Sequence, residues 1–127
     1  MSLVGGTLSV LPGTTLRVSG PISWEIISGA SVVNDGLIDL GTQAILVESD
    51  GFPVVGSGLE LATEPASAPL ASVEPGGLGL TISTPYVGGG LMVERGHLPA
   101  LASTGVESIA RWYRVSTPQQ TNEALTV

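Results

Sequence analysis

The chain carries a single histidine, His97, with Glu94 three residues before it. An imidazole beside a carboxylate is a minimal general base. Three copies of His97 gathered on a threefold axis could instead hold a metal or an anion. One histidine and no cysteine leave no multi-histidine or cysteine-based metal site within one chain. The stretch Arg95-Gly96-His97-Leu98-Pro99 reads as a loop, which makes the imidazole solvent-exposed or a capping group. Asp35 and Asp39 are a second candidate, because paired carboxylates perform glycoside hydrolysis. Asp35 lies in the turn Asn34-Asp35-Gly36, where a carboxylate caps backbone N–H groups. Asp39 falls on the polar side of a short strand, and no aromatic-lined cleft accompanies the pair. Gly88-Gly89-Gly90 has no following Lys or Ser/Thr in the phosphate-loop pattern, so it reads as a turn or a close backbone approach. The expectation is a chain with no catalytic, cofactor or metal site, and not an enzyme.

Binding chemistry is better represented. Arg111-Trp112-Tyr113-Arg114 holds two of the four basic residues around an aromatic pair. Arg, Trp and Tyr are the residue types that dominate binding hot spots. In an acidic chain this segment is the candidate for docking on an acidic partner surface. Trp24 alternates with Ile22 and Ile26, which points to burial in the core or in an interface.

These residues must be positioned by β-structure. Period-2 alternation recurs in Gly6–Val10, Thr15–Val18, Ile22–Ile26, Gly36–Leu40, Ala44–Val47 and Gly58–Leu61. Breaks such as Pro12-Gly13, Ser19-Gly20-Pro21, Asn34-Asp35-Gly36, Asp50-Gly51 and Gly56-Ser57-Gly58 separate them with turn chemistry. Residues 62–77 hold three prolines among small residues and read as an extended arm or a long loop. Strands resume at Leu78–Ile82 and Val87–Val93, and Ile109–Val115 is the clearest late one. Only Leu98–Val106 could hold a helical turn or two, and the tail from Thr117 is largely polar. One all-β domain is expected over 1–127: short strands over 1–61, the Pro-rich arm over 62–77, then C-terminal strands and tail over 78–127.

The stretch Gly29–Gly41, with Asn34-Asp35-Gly36-Leu37-Ile38-Asp39-Leu40 at its centre, resembles the Asn-x-Gly-x-Ile-x-Leu rungs of parallel β-helices. Such rungs occur in haemagglutinin-type adhesins and in bacteriophage spike and decoration proteins. The resemblance covers about Thr7 to Leu61 and implies Ile and Leu stacked inside successive turns. Asn-Asp-Gly serves a hairpin equally well. The intervals between apolar positions also differ, 8 residues from Leu8 to Leu16 and 22 from Leu16 to Ile38. Two all-β architectures therefore stand side by side: a small β-sandwich or jelly roll, or a short β-helix-like domain.

Composition narrows the function. There are 4 basic residues, all arginine, against 11 acidic ones, for a net charge of −7. Nucleic acid and anionic membranes need clustered positive charge and are excluded as main partners. The charge-free run from Pro75 to Val93 is too rich in Gly, with Pro85 inside it, for a membrane helix. Only 12% of residues are charged, against about 25% in an average domain, while 43% are hydrophobic. Much of the surface is therefore weakly polar and suited to assembly. This profile resembles bacteriophage capsid decoration (cement) proteins and spike-type virion proteins. The resemblance implies a capsid-surface protein that binds the major capsid protein or other virion subunits, as a homo-oligomer with a trimer favoured and a dimer possible. A receptor- or glycan-binding spike or adhesin module is the alternative, and would present Trp24, Tyr86 or Trp112 in a groove.

Overall fold

The computed structural model describes residues 1–49, 53–65, 70–84, 90–101 and 107–116. The described chain is all-β. Its strands are β1 (Ser2–Val10), β2 (Thr15–Arg17), β3 (Ser23–Asn34), β4 (Leu37–Asp39), β5 (Ile45–Glu48), β6 (Val54–Val55), β7 (Leu59–Glu64), β8 (Leu70–Val73), β9 (Ile82–Thr84), β10 (Leu91–Leu101) and β11 (Glu107–Ser116). A 3₁₀ turn, Pro75–Gly77, precedes β9.

The first seven strands form parallel rungs. In one sheet β3 lies between β1 and β5, and β6 continues alongside β3; in the other, β4 lies between β2 and β7. The register gives the repeat directly. Trp24 faces Leu46, Val32 faces Val54, Leu16 faces Ile38 and Ile38 faces Glu60, each pair 22 residues apart. Inward side chains at that interval stack turn upon turn, and Trp24, Ile26, Val32, Ile38, Leu40, Leu46 and Val54 are all buried. A sandwich or jelly roll pairs its strands antiparallel, so of the two expected architectures the rungs are those of a β-helix. The interval of 8 from Leu8 to Leu16 does not separate rungs: it joins β1 and β2, which lie in the two sheets of one rung.

The first rung is slightly longer. Ser2 pairs with Glu25 and Gly6 with Ala30, because the register shifts between Val4 and Gly6. Gly5 and Gly6 sit there with φ of 69° and 76°. Such values favour glycine; the extra residue itself lies in β3, where Ile27 to Ala30 spans one step more than Val4 to Gly6, and Gly29 there has φ of 78°.

Past β7 the pairing changes sense. β10 runs antiparallel to β7, and β11 antiparallel to β10, completing a five-stranded sheet in the order β11-β10-β7-β4-β2. Arg95-Gly96-His97, expected in a loop, therefore lies inside β10. The reason is tertiary: β10 is flanked by strands on both sides as far as Gly96, and the arginine and histidine find buried partners across it. Pro99 falls beyond the last β7 partner, where a missing N–H is less costly. Leu98–Leu101 is strand rather than helical turn; 102–106 lie outside the described residues.

Residues 62–64 belong to β7. Pro75 and Leu78 are buried, so the part of the Pro-rich region from the 3₁₀ turn onward lies on the core. Residues 66–69, Tyr86, Gly88, Gly89 and the tail from Thr117 lie outside the described residues.

Candidate functional site

At two inward positions of the third rung the core changes from apolar to ionic. The 22-residue interval carries Ile26 to Glu48 and Ile38 to Glu60. Both carboxylates turn toward Arg95, whose side chain is fully buried. Arg95 Nε donates to Glu60 Oε2 at 2.9 Å; Nη1 donates to Glu48 Oε2 at 2.8 Å and to the Leu78 carbonyl at 3.3 Å; Nη2 donates to Glu48 Oε1 at 3.2 Å. His97 Nε2 reaches the same Glu60 Oε2 at 2.6 Å, and Asn34 Nδ2 donates to Glu60 Oε1 at 2.7 Å. Glu48 also accepts from Val54 N–H and from Arg111 Nη2.

The electrostatics follow from this crowding. Burial alone would push the Glu60 carboxyl up, but hydrogen bonds from His97 and Asn34 and the charge of Arg95 outweigh it. They hold Glu60 below the ordinary carboxylate range. Burial pulls Arg95 down, and the bonds and charge of Glu48 and Glu60 more than reverse that, so it is held above its usual value. An ionised Glu60 only accepts, so His97 Nε2 carries the proton of the shared bond. The other ring nitrogen, Nδ1, is buried with no hydrogen-bond partner among the described residues. The arrangement ties β5, β7 and β10 together through saturated carboxylates. Among the described residues no group of three or more His, Cys, Asp or Glu could hold a metal ion.

His97 is thus 4% exposed, and the expected exposed or capping imidazole is corrected to a core one. Its neighbour Glu94 does not serve it: Glu94 approaches Arg114 Nε to 2.7 Å, a close ion pair without hydrogen-bond alignment. Asp35 Oδ1 accepts from Ser57 N–H and Oγ on the next rung. Asp39 accepts from Gly41 N–H and pairs with Arg17 at 3.2 Å.

The anticipated interface residues divide. Trp24 is 3% exposed and belongs to the core of this chain. Trp112 is half-buried and lies against Gly96, leaving no room for a side chain there. Tyr113 donates its hydroxyl to the Leu78 carbonyl at 2.9 Å. Arg111 is held by Glu48 at 3.1 Å. Arg114, with 63% of its side chain exposed, has its guanidinium 5.9 Å from the Trp112 ring centroid.

The two ends of the stack differ. At the third rung β10 and β11 continue the sheet of β7 and Arg95 reaches both glutamates, whereas the first rung leaves an open hollow of about 490 Å³. Leu3, Leu8, Leu16, Ile22 and Trp24 line it, and its wall is largely apolar.

From sequence Asn34 reads only as a turn residue and Arg95 only as part of a loop, and Glu48 and Glu60 are not named as site residues. The available signal was the 22-residue interval itself, which sets each glutamate on the position of an isoleucine. The chain matches no known family model, no curated protein and no solved structure.

Proposed function

We propose that this chain is a structural, non-catalytic module of a virion, a decoration protein that seats on the outside of a capsid shell. The observation that supports this reading most is β11. It is the outer strand of its sheet among the described residues, and it carries Arg111 and Arg114 at the surface of a chain of net charge −7. The pairs to Glu48 and Glu94 orient these guanidinium groups without burying them. The aromatic ring of Trp112 stands beside Arg114. Orientation before binding reduces the entropy lost on docking. The carboxylates that could have served catalysis are committed to turns and to the internal cluster, so a mechanical role fits the chemistry that remains. No helix among the described residues is long and apolar enough to cross a membrane.

The test is to titrate the protein onto shells assembled from a bacteriophage major capsid protein. The expected results are saturable binding and a higher shell-disruption temperature. The double substitution Arg111→Ala with Trp112→Ala is expected to weaken attachment. Absence of binding by the unaltered protein rejects the reading.

A further inference from the structure

We propose that the open face of the first rung is a homotypic interface, at which two copies of this chain join about a twofold axis with β1 against β1. The inference concerns self-association and does not rest on the virion reading. Four observations converge on it.

The hollow bounded by Leu3, Leu8, Leu16 and Trp24 exposes core-type side chains, with Met1 at its rim 66% exposed. An uncovered core of this kind gains stability when a partner excludes water from it. Charge then identifies the partner. Residues 1–22 contain no Asp or Glu, and all 11 acidic residues lie from Glu25 onward. The only charged side chain lining the hollow, Arg17, is paired with Asp39. Two copies of a −7 chain repel wherever carboxylates meet, and the first rung, which Glu25 reaches at Ser2 and Asp39 at Arg17, carries none on its own residues.

The backbone supplies the third argument. β1 runs nine residues at a sheet edge, with no charged side chain and no proline. Exposed edges are ordinarily blunted by such residues. The far edge of the same sheet, β5, is only four residues long and ends in Glu48. The unblunted strand is the one available for pairing, and a twofold axis sets a strand antiparallel to its own copy. Finally, at the opposite end β10 and β11 continue the sheet of β7. A twofold joining uses the same face of both copies and so ends at two.

The experiment is solution mass by light scattering, with amide exchange on the same samples. The unaltered protein is expected at twice 12.8 kDa, with slow exchange in β1. Thr7 is exposed, beside the midpoint of β1, and in an antiparallel pairing centred there Thr7→Glu sets like charges close together. It is expected to weaken the dimer at least about tenfold, with faster β1 exchange, while Thr7→Gln keeps the dimer. Circular dichroism confirms that both variants fold. A monomer at high micromolar concentration, a trimer, or a dimer indifferent to Thr7→Glu each overturns the proposal. A dimer that ignores capsid shells would reject the virion reading and leave this one standing.

Discussion

Ile38 and Glu60 occupy the same inward position on successive rungs, one directly over the other in the parallel β4–β7 pair. Both are fully buried. A carboxylate in the place of an isoleucine is tolerable because Arg95, His97 and Asn34 all converge on it. The same substitution of character occurs at Ile26 and Glu48, so the apolar column ends where the hairpin takes over.

Removing the cation from this cluster is expected to be costly. Arg95→Leu strands two carboxylates that have lost their shared partner, and breaking a buried pair from one side costs about 3–5 kcal/mol. Urea unfolding should show the midpoint falling by a corresponding amount. Replacing Glu48 and Glu60 by isoleucine in the same background should recover part of the loss, because it removes both stranded charges while leaving Asn34, His97 and the Val54 amide without their acceptors. A triple variant as unstable as Arg95→Leu would mean that the charges are held for something other than internal compensation.

The direction of the Glu60 shift sets a pH dependence. Its folded carboxyl is held below the unfolded value of about 4.5, so the unfolded chain takes up its proton first on acidification. The stabilisation from this group is therefore fully present above the unfolded value. It is lost as the pH falls through the folded one. Unfolding free energy, measured by urea from neutral pH downward, is expected to hold its Glu60 contribution until that range and then decline. In Glu60→Gln the decline should be shallower, from a lower starting stability.

How far was this legible in the sequence? The alternation around Trp24 and Ile26, and around Ile38 and Leu40, marks strands correctly, because inward and outward faces show in local order. The partner of a strand does not show there. Period-2 alternation is the same whether a neighbour runs parallel or antiparallel, and the intervals of 8 and 22 mix a step within a rung with a step between rungs. Arg95 and His97 were read as loop residues because the carboxylates that justify their burial lie 47, 35 and 37 residues away. The distribution of acids was legible in part: the counts alone place every Asp and Glu after residue 22, but only the rung register shows that the residues before it make up one whole rung at an end of the stack.

Trp112 reports on the hairpin. The Cβ of an alanine at position 96 would collide with its indole ring, since Gly96 lies directly beneath it. Overpacking of this kind costs about 1–3 kcal/mol. Trp24 and Trp112 are the only tryptophans, so a Trp24→Phe background isolates the Trp112 emission. In that background Gly96→Ala is expected to shift the emission toward longer wavelength as the ring moves into solvent, with a lower melting temperature. Unchanged emission and stability would mean that the ring does not rest on Gly96.

Arg114 provides the converse case, a residue whose removal should matter for docking and not for folding. Its side chain is 63% exposed against 27% for its partner Glu94, and a pair with its cation in water is worth about 0–1 kcal/mol. Arg114→Ala is therefore expected to leave the unfolding midpoint nearly unchanged. Arg111 differs because its partner Glu48 also holds the buried Arg95. Arg111→Ala should lower stability measurably more than Arg114→Ala, through the carboxylate it leaves less compensated. If both variants unfold alike, Glu48 is satisfied by Arg95 and the Val54 amide alone, and the role of Arg111 lies wholly at the surface.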